Sequence, residues 1–364
     1  MIHLDVGGSS AVRTINCPGW LALKKKHNPT NRSNVAADVG NLLHDTMENL
    51  YQHGTSFADQ MGVTTYAGIV LEEDHLPLLD SAKAMIESLF DEYNIEEFLC
   101  EPFVQYQEGY IGGSIDMVGV SALRRSALFA DYKFGRGKAD AEIQLMFYIM
   151  CALVDPATKA MLSDVEEFTL ATIQPVCSDT PVVVHKTRAD IAEFEKTLLA
   201  ALKTDHTEIG KHCQYCPVAP YCPEKNKQAL KALVLSKSSA KCLGQSWQLA
   251  QELKAWIKSV DEECDAKLTA GADIPDLKMV AGRNSKKWTV EDRQLVDIFG
   301  MDIVESKSIT LSPAQAIKKF GKKPVMEWVQ EIPQKSKVVH VDDDRPALVI
   351  DPEDKFKNFL ESAE

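Results

Sequence analysis

The stretch from Ala141 to Val154, AEIQLMFYIMCALV, most constrains the fold. It is apolar nearly all round, so as a helix it has no solvent face and has to be buried on every side. The segments around it supply the walls. Upstream, EPFVQYQ from Glu101, YIGGSIDMVGV from Tyr110 and ALFADYKF from Ala127 read as short strands broken by turns. Downstream, EFTLATIQP and PVVVHKTR read as two more strands, followed by a helix from Ala189 to about Lys203. Ahead of all these, Ala36–Tyr51 and Leu76–Tyr93 each carry an apolar stripe at helical spacing. Helices before, within and after a set of strands predict an α/β fold with a central mixed sheet flanked by helices. Gly112 and Gly113 predict a bend or a close backbone approach inside the second strand.

The 364 residues predict two domains, and 45% hydrophobic with 26% charged residues are enough to build a core. The polar stretch at 226–244 marks the boundary between a domain over 1–230 and a C-terminal α+β region over 245–364. That region opens on a long amphipathic helix, Gln245–Leu268, and carries Trp288 and Trp328. No apolar run reaches the roughly 18–20 residues of a membrane span, which excludes a transmembrane chain. MIHLDVGGSSAVRT shows no basic segment followed by an apolar one, so no secretory leader is expected. Nine unevenly spaced cysteines point to a reducing cytoplasm rather than a disulfide framework. A net charge of −13 argues against a whole surface that grips nucleic acid, but leaves room for a metal and a local basic strip. Lys24, Lys25, Lys26 and Arg32 form such a strip, whose simplest reading is a solvated face.

Chemistry concentrates in Gly113-Ser-Ile-Asp116 and Asp131-Tyr-Lys133. Asp131 and Lys133 are two apart on a strand, so both side chains leave the same face. With the strand of Asp116 paired alongside, two carboxylates and an ammonium meet at one spot. Neighbouring carboxylates repel unless a cation lies between them, which makes the pair a natural Mg²⁺ or Mn²⁺ site. A metal there activates water and neutralises a phosphodiester, while the lysine meets developing charge. Taken alone, Asp131-Tyr-Lys133 reads first as an exposed ion pair of little worth. Gln144 and Tyr148, at i and i+4 inside an apolar helix, each need a partner. His44 shares a helical face with Gly40 and is a candidate third ligand.

Cys213-x₂-Cys216-x₅-Cys222 lies in the proline-stiffened loop HCQYCPVAPYCP. Clustered thiolates select zinc or an iron–sulfur cluster. A fourth ligand is needed: neighbouring His212 suits zinc, and Cys17, in INCPGW, suits a cluster.

Gly40 to His44, Gly113 to Asp116, Asp131-Tyr132-Lys133 and Gln144-Leu145 to Tyr148, in that order over roughly residues 10–225, resemble the motifs of RecB-like nucleases of the PD-(D/E)XK superfamily. The resemblance implies a restriction-endonuclease-like core and metal-dependent DNA cleavage. It places His44, Asp116, Asp131 and the Tyr132 carbonyl around the metal, Lys133 in catalysis, and Gln144 and Tyr148 in support of the site and the DNA strand. Many relatives carry Glu where this chain has Asp131, and a role for Glu101 stays open. Cys17, Cys213, Cys216 and Cys222 are similar to the layout of AddB-type members, which implies a [4Fe–4S] cluster stapling the ends of the nuclease domain. The order of parts resembles phage- or prophage-encoded nucleases, so the expectation is a cytoplasmic DNA exonuclease in phage replication or recombination, working beside a helicase or single-strand-binding protein. The alternative is a catalytically inactive DNA-binding or assembly subunit. Residues 245–364 carry no comparable constellation: Trp288 beside Lys286 and Lys287 reads first as core, and Asp342–Asp344 as a solvated turn. The other cysteines, Cys100, Cys151, Cys177, Cys242 and Cys264, read as ordinary buried thiols.

Overall fold

The computed structural model describes residues 4–30, 35–121, 123, 125–228, 243–282, 285–306, 309–332 and 336–348. Arg32, Cys242 and most of the expected boundary at 226–244 lie outside them. The chain divides into two compact units, Met1–Ile257 and Lys258–Glu364, and the helix Leu243–Thr269 carries residues of both. Among the described residues no helix is long and apolar enough to cross a membrane.

The first unit is α/β. Its elements are α1 (Ala11–Asn16), α2 (Gly19–His27), α3 (Val35–His53), α4 (Phe57–Gln60), the small hairpin β1 (Thr65–Tyr66) and β2 (Ile69–Val70), then α5 (Leu76–Tyr93). There follow β3 (Glu97–Cys100), β4 (Phe103–Gln107), β5 (Ile111–Ser114), β6 (Met117–Ser121), β7 (Ser126–Tyr132), α6 (Glu142–Ala152), β8 (Glu167–Ile173), β9 (Val182–Thr187) and α7 (Arg188–Ala201). The central sheet has the order β3-β6-β7-β8-β9, and it is mixed: β7 and β8 run parallel while every other neighbour is antiparallel. α6 makes the crossover between the two parallel strands, as a parallel pair requires.

The alternation along β7 shows how the layers are built. Ala127 and Phe129 enter one core with Val118, Phe168, Leu170 and the buried α6. Leu128, Ala130 and Tyr132 enter the opposite core with Met117, Ala171 and the apolar stripes of α3 and α5. Both faces of the strand are therefore covered, and all seven of its residues are buried. Asp131 follows the parity of Ala127 and Phe129 and leaves β7 on the α6 side.

Local signals set the helix ends. Asn94 closes α5 in the left-handed region (φ 50°). Thr187 and Asp190 form a reciprocal capping box at the start of α7, a device worth about 1 kcal/mol.

The stretch expected as a single strand from Tyr110 is two, because the chain breaks at Ile115-Asp116. β5 pairs with β4 and β6 joins the central sheet. The glycine pair does mark a close approach: a Cβ on Gly112 would run into the Val104 carbonyl. β3, an edge strand of the central sheet, has no counterpart in the sequence reading; its four residues EFLC are too few to display a period.

The second unit is α+β. Leu277–Val280 pairs with Lys337–His340, and Ser285–Trp288 pairs with Val329–Ile332. Leu295, Ile303, Ala316, Val325 and Val329 form its core. Trp288 packs on that core and its Nε1 donates to the Leu311 carbonyl, in keeping with a core residue. In the acidic turn, Asp343 is held by Arg345 at 2.8 Å.

Candidate active site

The register of the sheet builds the site. Met117 of β6 faces Ala130 of β7, so the next step along the antiparallel ladder sets Asp116 across from Asp131, at the point where β6 begins. The Tyr132 N–H donates to Asp116 Oδ2 at 2.7 Å, which fixes that carboxylate. His44, from the middle of α3, brings Nδ1 to 3.4 Å from the same oxygen. Its ring is wedged edge-on between Phe134 and Tyr132, with centroids at 5.5 and 6.1 Å.

Glu101 completes this group. One ligand atom from each of His44, Glu101 and Asp116 lies within 4.8 Å of the others. Glu101 lies between β3 and β4 with φ 50°, a left-handed conformation that is costly for a residue with a Cβ. Its N–H donates to the Asp116 carbonyl at 3.2 Å, so the strained turn is tied to the acid it faces.

Asp131 takes a different set of partners. Lys133 Nζ donates to its Oδ1 at 3.0 Å and lies 2.8 Å from Oδ2, and Gln144 Nε2 donates to Oδ1 at 2.6 Å. Gln144 Oε1 accepts from Lys133 at 3.2 Å, which closes a three-membered ring of side chains. Asp131 Oδ2 is buried, with the Lys133 ammonium beside it and no further donor among the described residues. Tyr148, one turn further along α6, lies within electrostatic reach of the Gln144 side chain. Its ring is packed so closely on Gly8 that a Cβ there would stand 2.6 Å from Cζ.

The electrostatics follow from burying several acids together. Burial, reinforced by Asp116, Glu48, Asp45 and Asp131, pushes the Glu101 carboxyl up to about 8. Burial likewise raises Asp116 and Asp131 to about 6 each, although Lys133 pulls both down. Burial is the largest influence on His44 and lowers its pKa; Asp131 pulls it back only in part, which leaves a neutral imidazole. For Lys133 burial works against the charge, but Asp131 and Asp116 outweigh it and the pKa ends above the usual value. Such a group stores unfavourable negative charge that a divalent cation would relieve.

All seven sequence-predicted residues of this site therefore meet in one region. The division among them differs from the expected one: His44 and Asp116 are grouped with Glu101, while Asp131 is engaged by Lys133 and Gln144. Tyr132 contributes its N–H to Asp116 and buries its ring in the α3–α5 core. Sequence reasoning left Glu101 without a role, because strand alternation says nothing about a side chain redirected by a positive φ.

The four expected cysteines also converge. Cys17, Cys213, Cys216 and Cys222 line one small cavity with Trp20 and His212. The Glu208 N–H points at Cys17 Sγ (3.4 Å) and the Gly210 N–H at Cys213 Sγ (3.5 Å). Gly19 lets the two distant segments touch: its N–H donates to the His206 carbonyl at 2.9 Å, and a Cβ there would run into the Asp205 carbonyl. His212 Nε2 lies 3.0 Å from the Glu208 carbonyl, so that nitrogen already has a partner. Burial pushes the Cys216 thiol up to about 11, opposed by the Arg13 guanidinium. Arg13 stacks on Trp20 at 4.9 Å and donates to the Tyr215 carbonyl at 2.8 Å. Of the other cysteines, Cys151 is buried, Cys100 and Cys264 are half-buried, and Cys177 is exposed, against the expectation of a buried thiol.

No curated protein matches the chain. Among solved structures, a chain titled "Crystal structure of SSO0001" is similar at 14% identity and a TM-score of 0.23, over 57% of this chain and 95% of that one. A likeness of that strength leaves the argument to the geometry above. The family described as "Protein of unknown function (DUF2800)" matches residues 3–346, nearly the whole length, and this chain belongs to it.

Proposed function

We propose that this chain is a metal-dependent DNA nuclease built on a PD-(D/E)XK-type core of the RecB-like kind. The observation that carries the reading is the convergence of His44, Glu101 and Asp116 beside the Asp131–Lys133–Gln144 ring at one end of the β6–β7 pair. The donors suit Mg²⁺ or Mn²⁺: they are carboxylate oxygens and a neutral imidazole. His44, Glu101 and Asp116 would hold the ion, with Asp131 and the Tyr132 carbonyl completing its surroundings. When bound, the ion would lower the pKa of a water and neutralise a phosphodiester oxygen.

The chain's own residues do the rest. Lys133, held by two partners, keeps an ammonium where charge develops on the phosphate. Gln144 aligns Lys133 and Asp131 with one amide, and Tyr148 braces Gln144 from the next turn. The fixed Asp116 leaves little reorganisation for the reaction itself.

The cysteine cavity fits a thiolate-bound group. Four buried or half-buried thiols with N–H donors aimed at two of the sulfurs suit a [4Fe–4S] cluster, while His212, already bonded to a carbonyl, supports four-thiol over three-thiol-plus-histidine binding. Its role in this reading is a staple joining residue 17 to residues 213–222. The setting that fits is cytoplasmic DNA replication or recombination of a phage or prophage, with exonuclease action and a helicase or single-strand-binding partner.

The test is cleavage of end-labelled linear and circular DNA with Mn²⁺ or Mg²⁺, by anaerobically prepared protein whose absorbance near 400 nm is recorded. Metal-dependent cleavage of the linear substrate, lost in Asp116→Ala and Lys133→Ala, is the expected result. Folded wild type that binds DNA and cuts nothing would favour the assembly-subunit reading instead.

A further inference from the structure

Gln174 directly follows β8 and is 7% exposed. Its side-chain amide is fully committed to one loop. Nε2 donates to the carbonyls of Gly135 and Gly137, each at 2.7 Å, and Oε1 accepts from the Ala139 N–H at 3.0 Å. Cys177 adds a weak bond from its thiol to the Arg136 carbonyl at 3.6 Å. One buried amide thus holds every second residue of 135–139 by the backbone. The residues in between, Arg136 and Lys138, are exposed, and neither side chain has a partner among the described residues.

The loop is not shaped by its glycines. Neither Gly135 nor Gly137 has a positive φ, and a Cβ on either would meet nothing within 4 Å. Its conformation depends on the clamp, and its position is set by what it joins. It leaves Lys133 at the end of β7 and returns to α6 ahead of Gln144, with Asp140 Oδ1 accepting from the Glu142 N–H at 3.1 Å. Arg136 and Lys138 therefore sit in the connection between two members of the ring around Asp131.

The charge around the site calls for such groups. Asp45, Glu48, Glu101, Asp116 and Asp131 crowd one region, and Lys133 is already engaged by Asp131. In a chain of net charge −13, a polyanion approaching this centre needs cations beyond those the carboxylates consume. Arginine and lysine on a backbone-clamped loop supply them at fixed positions, with the planar guanidinium matched to phosphate oxygens.

We propose that the Gln174-clamped loop is a phosphate-binding rim, in which Arg136 and Lys138 contact the phosphodiester backbone of a nucleic-acid strand entering the carboxylate centre. The inference rests on the nuclease reading and names residues that reading does not use. Gln174 is a positioning residue in it. An isosteric Gln174→Glu would set carboxylate oxygens against two carbonyls and release the loop.

The test measures binding of a fluorescein-labelled oligonucleotide, single- and double-stranded, by anisotropy over a salt series in Ca²⁺, with Mn²⁺ affinity and cleavage measured in parallel. Loss of two phosphate contacts makes the slope of log K against log[salt] shallower by about 1.4 for single strands and about 1.8 for duplex. That change is expected for the double variant Arg136→Ala/Lys138→Ala, which alters only exposed side chains. Gln174→Glu is expected to shift the slope in the same direction with Mn²⁺ affinity unchanged, which a general loss of structure would not do. A wild type that binds and cleaves DNA with the same affinity and slope as the double variant overturns the rim and leaves the nuclease reading standing. DNA binding without cleavage, with the slope still reduced in the double variant, supports the rim and removes the nuclease reading. No DNA binding by folded wild type overturns both.

Discussion

Mn²⁺ binding to this protein should be strongly coupled to protons, because the candidate ligands are acids that burial keeps partly protonated. Glu101 titrates at about 8 and Asp116 at about 6. A metal can use a carboxylate only after its proton leaves, so the apparent affinity falls by the fraction ionised. Between pH 8 and pH 6 the ionised fraction of Glu101 drops about 50-fold and that of Asp116 about 2-fold, so affinity should fall about 100-fold, or about 2.7 kcal/mol. His44, lowered from its usual value, adds little over this range. The same shifts set the sign for the metal-free protein. A carboxyl whose folded pKa is raised contributes stability that is complete below its unfolded value, near 4.5 for Glu101, and is lost as pH rises through about 8. The metal-free protein should therefore lose stability from pH 5 to pH 8, and Mn²⁺ should restore most of it at the alkaline end. Isothermal titration at pH 6, 7 and 8, repeated in buffers of different ionisation enthalpy, reads both affinity and protons released. About one proton per Mn²⁺ is expected at pH 7. Glu101→Gln should bind more weakly at pH 8 and lose most of the pH dependence. An affinity that varies less than about 3-fold across the range, with no proton release, would show that Glu101 is not a ligand or that its burial does not hold its proton.

Three other substitutions test separate parts of the structure. Lys133→Met should abolish cleavage and leave the 2%-exposed Asp131 without its cation, at a cost of about 3 kcal/mol at pH 8 that shrinks toward pH 5 as Asp131 takes up a proton; chemical denaturation at the two pH values checks it. Cys17→Ser should remove the absorbance near 400 nm and lower the melting temperature by several degrees, since it unties two segments far apart in sequence; an unchanged spectrum would exclude Cys17 as a ligand. Gly8→Ala should displace the Tyr148 ring and reduce cleavage by about 10-fold or more with Mn²⁺ affinity intact, and equal activity would show that the ring position is immaterial.

The parts of this site that the sequence reveals are those governed by a period. Asp131 and Lys133 share a face because strands alternate, and Gln144 and Tyr148 share one because helices turn every 3.6 residues. The all-apolar α6 announces its own burial. What escapes is set by backbone geometry or by distant contacts. Glu101 reaches the centre through a left-handed residue between two strands, and no residue pattern marks a non-glycine position with φ 50°. Asp116 has its role because the strand ends beside it, so a continuous strand reading finds the residue and misses the break. Gln174 is one glutamine after a strand, and only the tertiary fold discloses that its amide spans a loop more than thirty positions away.

The N-terminal segment explains why a cysteine site far from the carboxylates would matter to chemistry. Val6 bridges Ile111 of β5, with hydrogen bonds to Tyr110 and Gly112 at 3.0 and 3.1 Å. Gly8 presses on Tyr148, which lies beside the amide that aligns Lys133 and Asp131. A few residues later the same segment supplies Cys17 to the thiol cavity and Arg13 to the Tyr215 carbonyl, and Gly19 docks on residues 205–207. Val6 and Ala11 bury fully in the α6 core, and that packing has to offset about 1–2 kcal/mol of backbone entropy for each residue ordered. A thiolate-bound group holding Cys17 would add an anchor at the far end of the segment. On this argument a group held by the four thiols would act on the carboxylate centre through position, and its loss would loosen the brace behind Tyr148 before it disturbed the candidate ligands themselves.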